Sequence, residues 1–196
     1  MWLRLAAVLL IAAGGFGWYL TRPISHPPGV LIEQAPRQVM EPGPPIPHRG
    51  YTLTPVARFE AEARVLGRKT YRTDEHARLA PYDLAVGWGP MSDTAVLDDL
   101  TITQMHRFYR WQTRRYPIPR AEIIRHSTNI HIIPADDAVA GAVSRLRPGH
   151  LVRLRGRLVH VLGADGTRWR TSLSRTDAGM GACEILWLEA VERLPR

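Results

Sequence analysis

The chain has 196 residues and a formal net charge of +8, with 26 Lys and Arg against 18 Asp and Glu. That length fits one well-buried domain with an appendage, because single cores take about 100 to 150 residues. A single cysteine excludes an intramolecular disulfide framework, and Lys69 is the only lysine, so the basic character is almost wholly guanidinium, which stays protonated and matches phosphate or carboxylate in bidentate fashion.

The N-terminal run MWLRLAAVLLIAAGGFGWYLTRP carries Arg4 and then sixteen uncharged residues, Leu5 to Leu20. Two readings stay open. A signal peptide needs an apolar stretch of about 7 to 15 residues with a small-x-small cleavage site, which Ala12-Ala13-Gly14 or Ala13-Gly14-Gly15 would supply. A membrane anchor needs roughly 17 to 25 residues, and Trp18 and Tyr19 before Arg22 suit an interfacial aromatic belt. Both place the rest of the chain outside the cytoplasm, and the anchor reading makes residues 1–21 a helix in the bacterial inner membrane with a periplasmic domain after it.

Nine prolines between Pro23 and Pro55 forbid helix, so residues 22–50 are read as an extended, semi-rigid spacer, with Val30-Leu31-Ile32 apolar enough to dock. The folded domain is expected over 51–196. In PVARFEAEARVLG, Ala57, Phe59, Ala61, Ala63 and Val65 alternate with Arg58, Glu60, Glu62 and Arg64, the period-two pattern of a half-buried strand. WGPMSDTAVLDDL reads as a short helix capped by Ser92. ITQMHRFYRWQ reads as one strand, PRAEIIRH as a short helix with proline in its first turn, and NIHIIPA as a strand. DDAVAGAVSRLRPG is the clearest helix, with Asp136 as cap and Pro148-Gly149 as stop.

LVRLRGRLVHVLGADGTRWRTSLS then predicts a hairpin about a two-residue Asp165-Gly166 turn. In that register Leu162 faces Trp169, His160 faces Thr171 and Leu158 faces Leu173, all inward. A last strand, Glu184 to Val191, closes an α+β fold: a curved, mostly antiparallel sheet with a few short helices. VRLRGRLVHV with its hairpin also resembles strands of small OB-like barrels, which makes a partial barrel the finer expectation.

Chemistry is looked for in three places. The hairpin's outer face gathers Arg153, Arg155, Arg157, Arg168 and Arg170, an anion- or partner-binding candidate for lipid headgroups, an acidic glycan or a partner protein; solvation or pairing with Glu60 and Glu62 is the competing reading. Nucleic acid ranks last, since no aromatic stacking pattern accompanies the charge. HSTNIHIIPADD offers His126, Asn129 and His131, and the connector SLSRTDAGMGACE adds Ser172, Ser174, Arg175 and Asp177. Together these form an alternative polar site for an extracytoplasmic hydrolase, against a buried polar knot and a structured loop. The His and Asp spacing fits no metal-ligand pattern, and no cofactor signature is present: Gly67 to Thr70 (GRKT) lacks the frame of a phosphate loop. Cys183 is read as core, because GMGACEI departs from the nucleophile motif of the L,D-transpeptidases, with Glu184 where that motif has a branched apolar residue and no His-Gly upstream.

The blocks ARVLGRKTY, DLAVGWGPMSD, NIHIIPADD and RTSLSRTDAGMGACE together resemble an uncharacterised family of short bacterial proteins with an N-terminal apolar segment, a PPGVL stretch and one periplasm-facing domain. The resemblance implies that layout and brings no activity, cofactor or catalytic residue. The expectation is therefore a tethered binding or assembly module rather than an enzyme.

Overall fold

In the computed structural model residues 22–174 and 183–195 are described. The apolar run 1–21, and with it the expected N-terminal helix, lies outside them, as do Arg175 and Asp177. Among the described residues no helix is long and apolar enough to cross a membrane.

The chain opens with β1 (Arg37–Met40), β2 (Ile46–His48) and the twenty-residue β3 (Tyr51–Thr70). β3 carries the predicted alternation: Ala57, Phe59, Ala61, Ala63 and Val65 are at most 1% exposed, while Arg58 and Glu60 point to solvent. β4 (Tyr82–Gly87) and a 3-10 turn (Gly89–Ser92) lead into α1 (Thr94–Leu97). The cap of α1 is Asp93, whose Oδ1 accepts from Ala95 N–H at 2.8 Å, and not Ser92. Ser92 is buried, and its hydroxyl oxygen accepts from both Leu31 N–H and Ile32 N–H at 3.0 Å and donates to the Gly89 carbonyl.

ITQMHRFYRWQ is two strands rather than one: β5 (Thr101–Met105) and β6 (Phe108–Gln112) form a hairpin of their own. Its turn puts His106 at φ 51 and Arg107 at φ 68, the two successive left-handed residues of a type I′ turn that usually carries Asn or Gly. The remaining elements are α2 (Arg120–Arg125), β7 (Ser127–Pro134), α3 (Asp137–Ser144), β8 (Leu151–Gly163), β9 (Arg168–Trp169) and β10 (Glu184–Arg193). Asp136 caps α3 as expected, accepting from Val139 N–H at 2.8 Å.

The result is an α+β fold, a curled and mostly antiparallel sheet with short helices. β3 pairs antiparallel with both β4 and β8, β4 with β7, and β8 with β10, while β7 and β10 run parallel. Following those pairings, β3, β4, β7, β10 and β8 return to β3. One apolar cluster takes side chains from all five strands, among them Phe59, Leu84, Ile130, Ile132, Leu154 and Leu186, together with Val139 and Val143 of α3. At about 25 cal/mol per Å² of buried apolar surface, this shared interior is the main force that curls the sheet.

The β8–β9 turn departs from the predicted register by one residue. Gly163 N–H donates to the Thr167 carbonyl and Gly166 N–H to the Gly163 carbonyl, so the loop holds Ala164, Asp165 and Gly166, with Gly166 alone of the three at positive φ. Leu162 therefore sits opposite Arg168 and Val161 opposite Trp169. Leu162 is 46% and Leu173 38% exposed, whereas Val161 is buried; only Leu158, Thr171 and the half-buried Trp169 turn inward as predicted. Arg168 of β9 and Arg170 after it still face outward, because the slip moves the inward positions of β8 instead.

The Pro-rich segment is extended, yet it is a strap rather than a stand-off spacer. Ile24 N–H donates to the Pro148 carbonyl at 2.8 Å and Gly89 N–H to the Ile32 carbonyl at 2.7 Å. Ile32 is 6% exposed within the main core, and β1 and β2 add to β3. Residues 24–48 are therefore fastened to the sheet that contains β3.

Candidate functional site

Alternation along β4 and β7 sends Leu84, Val86, Ile130 and Ile132 into the main core and so turns Asp83, Asn129 and His131 to the opposite face. All three are at most 4% exposed, so that face is covered. A buried carboxylate is tolerated only when paired and hydrogen-bonded, and Asp83 has three donors. Its Oδ1 accepts from His131 Nδ1 at 2.8 Å and from Arg107 Nη1 at 3.2 Å, and its Oδ2 accepts from Asn129 Nδ2 at 3.3 Å.

Arg107 reaches this carboxylate because its left-handed backbone aims the β5–β6 turn back over the sheet. Its guanidinium also donates to Asp74 Oδ1 at 2.6 Å and to the Ala80 carbonyl at 2.7 Å, and its carbon lies 3.9 Å from the Tyr71 ring centre. Burial first, and then the Asp83 charge, push the Tyr71 phenol up to about 12. Asn129 accepts from Gln104 Nε2 at 2.8 Å, and the Cys183 thiol lies 3.9 Å from Asn129 Nδ2. The network ties β4, β7, the β5–β6 hairpin and the loop after β3 together.

An aromatic stack borders it. The His76 ring lies on Trp169, centroids 4.3 Å apart and 14° from parallel, and His131 meets the same indole at 4.6 Å. His76 comes from the β3–β4 loop and Trp169 from the β8–β9 hairpin, so the stack joins the two loops. Burial holds His48, His76 and His160 below the ordinary imidazole value of 6.5, with Arg49 and Arg170 adding to the effect on His48 and His160 and Glu75 opposing it on His76. The unfolded chain therefore takes up these protons first. The stability they contribute is complete above about pH 6.5 and declines as the pH falls from there toward the lower folded values. Thermal unfolding should show the midpoint dropping on mild acidification, with a shallower drop in His48→Gln/His160→Gln.

The polar candidates are partly brought together. Asn129 and His131 share the network, whereas His126 stands apart at the end of α2, its Nδ1 at 2.9 Å from the Glu122 carbonyl. The Ser172 hydroxyl accepts from Ser174 N–H and meets the Ser174 carbonyl, and the Thr171 hydroxyl accepts from Ile185 N–H. Asp83 holds His131 as a carboxylate holds a catalytic base, but these hydroxyls are engaged with backbone. No group of three or more His, Cys, Asp or Glu among the described residues is placed to hold a metal ion. The network chiefly clamps the elements together.

The arginine face divides in two. Arg153 pairs with Glu62 at 2.5 Å and with Glu192, Arg155 with Glu192, and Arg157 with Glu189 at 3.1 Å. Glu62 is one of the two partners weighed from sequence; Glu189 and Glu192 come from β10. Arg168 and Arg170 are exposed and pair with no carboxylate among the described residues. The sequence reading missed Asp83 and Arg107. A lone acid inside the apolar run DLAVG was a usable signal for Asp83; none existed for Arg107 while its hairpin was read as a single strand.

The chain matches no protein-family model, no curated protein and no solved structure.

Proposed function

We propose that the chain is a membrane-tethered extracytoplasmic binding module, an OB-like partial barrel that takes an acidic glycan between the loop joining β3 to β4 and the β8–β9 hairpin. The strand circuit supports the barrel reading, with its parallel β7–β10 pair and with α3 between β7 and β8. OB-type barrels take oligosaccharides and oligonucleotides on the face of their second and third strands and on the loops flanking it. In this chain those strands are β4 and β7, whose outer face is covered, so the flanking loops are what remains for a ligand. The observation that carries the proposal is the pair of exposed cations Arg168 and Arg170, which meet no carboxylate among the described residues, on the hairpin that the His76–Trp169 stack ties to the β3–β4 loop. Guanidinium groups that meet no carboxylate among the described residues suit the carboxylates of an acidic glycan.

Oligogalacturonate titrated against the full chain in zwitterionic nanodiscs should change tryptophan fluorescence at low salt and lose affinity as salt rises. Arg168→Gln/Arg170→Gln should weaken that binding about tenfold, equivalent to roughly 1.4 kcal/mol, without altering thermal stability. Absence of binding by the wild-type chain at low salt overturns the proposal. The Asp83–His131 pair is the one observation favouring hydrolysis. Asp83 is fully buried and its oxygens already accept from His131, Arg107 and Asn129, so the oligomers should be recovered at unchanged length.

A further inference from the structure

The join between the apolar run and the folded domain is very short. Leu20 ends the run, and by Ile24 the backbone is already fastened: Ile24 N–H donates to the Pro148 carbonyl at 2.8 Å, and His26 Nε2 meets the Gly149 carbonyl at 2.6 Å. Ile24 and His26 are each 8% exposed. Gly149 sits at φ +90, and a Cβ there would lie 2.8 Å from the Ile24 carbonyl carbon, so strap and turn are in backbone contact. Four Cα steps from Leu20 to Ile24 span at most about 14 Å. Whatever surface holds Leu20 must therefore lie next to the turn after α3.

That end of the domain is basic. Arg22 and Arg145 are exposed, Arg147 is half-buried, and Arg68 reaches over to donate from Nε to the Leu146 carbonyl at 2.9 Å. Residues 22–32, 64–70 and 138–151 contain no Asp or Glu; Asp93 reaches the strap at Gly29 N–H, and Glu192 on β10 pairs with Arg153 and Arg155.

We propose that this end lies flat against the bilayer, with Arg22, Arg68, Arg145 and Arg147 on anionic phospholipid headgroups; the proposal rests on reading residues 1–21 as an anchor. Basic residues next to a membrane-spanning segment are drawn to anionic lipid within about a Debye length, and the short join keeps these there. β8 starts at this end with Leu151 and runs thirteen residues to Gly163, a span of up to about 40 Å. The His76–Trp169 stack and the hairpin tip are thus held away from the membrane.

The test uses the full chain reconstituted into vesicles of phosphatidylcholine, with or without phosphatidylglycerol. Alkaline carbonate comes first: release of the protein removes the anchor reading and this proposal with it, whereas retention leaves the orientation to be read separately. In retained protein, a fluorophore placed at Ser144→Cys or Ala164→Cys, in a Cys183→Ala background, is quenched by headgroup-nitroxide lipid. Quenching at 144 should exceed that at 164 by roughly threefold and should rise with phosphatidylglycerol. Arg22→Gln/Arg145→Gln should remove at least about half of that rise while the protein stays bound. Equal quenching at the two positions, or stronger quenching at 164, overturns the proposal and leaves the anchor standing, as does a rise unaffected by the arginine substitutions.

Discussion

Asp83→Ala is expected to remove about 3–5 kcal/mol of folding stability, the range found when one partner of a buried ionic network is deleted. The carboxylate is fully buried and receives His131, Arg107 and Asn129; without it the buried His131 Nδ1 loses this acceptor, and Arg107 and Asn129 fall back on Asp74, the Ala80 carbonyl and the Arg107 carbonyl. Domains of this size are stable by only about 5–15 kcal/mol, so the variant should sit near the edge of folding. Asp74→Asn is the comparison. Asp74 binds the same guanidinium at 2.6 Å, but its side chain is 36% exposed, and exposed pairs contribute about 0–1 kcal/mol. Urea unfolding of the two variants should show a wide gap in midpoint with similar slopes. Equal and small losses would mean that the network is ornamental to the fold.

Gly149→Ala is expected to cost about 2–5 kcal/mol, from about 1–2 for a left-handed non-glycine residue and about 1–3 for overpacking against a neighbour that cannot yield. The neighbour is backbone: the new methyl would press on the Ile24 carbonyl. Gly166→Ala isolates the conformational part, because Gly166 has φ +87 and nothing within 4 Å of a built Cβ, so it should lose only about 1–2 kcal/mol. Hydrogen exchange separates the two. In Gly149→Ala the Ile24 amide should lose protection while β7 and β10 keep theirs; uniform loss across the sheet would show that the strap is not independent of the core.

How much of this was legible depended on whether the deciding partner was local. The alternation in β3 and the Asp136 cap of α3 are short-range signals; the cap held, and the alternation held as far as Ala63, after which Arg64 is buried. Asp165-Gly166 announced a turn, but the same dipeptide fits a two- or a three-residue loop, and that single residue moved Leu162 to solvent. His106-Arg107 carries no glycine, so the β5–β6 hairpin gave no sign of itself. Prolines rule out helix in residues 22–50 without ruling out docking or edge pairing, which is the role β1 and β2 play on β3. For the arginines of β8 the pattern offered Glu60 and Glu62 as partners and not Glu189 and Glu192, which lie on a later strand whose neighbour the pattern does not reveal. In the polar site, Asn129 and His131 stood out as polar residues in an apolar strand; their acceptor, Asp83, belongs to another strand and became visible only once register was known.

The parallel seating of β10 between β7 and β8 governs how the molecule can be assembled. The strand that completes the circuit is the last in the chain. Until residues 184–193 dock, β7 and β8 both show naked edges with Ile130, Ile132, Leu154 and Leu158 behind them, and such edges recruit other chains. Insertion of β10 between two strands that precede it in the chain is a non-local closure, slow by comparison with hairpin formation. A chain shortened at Ser174 would not be a smaller working version of the domain; it would be a sheet with its seam open, inclined to aggregate.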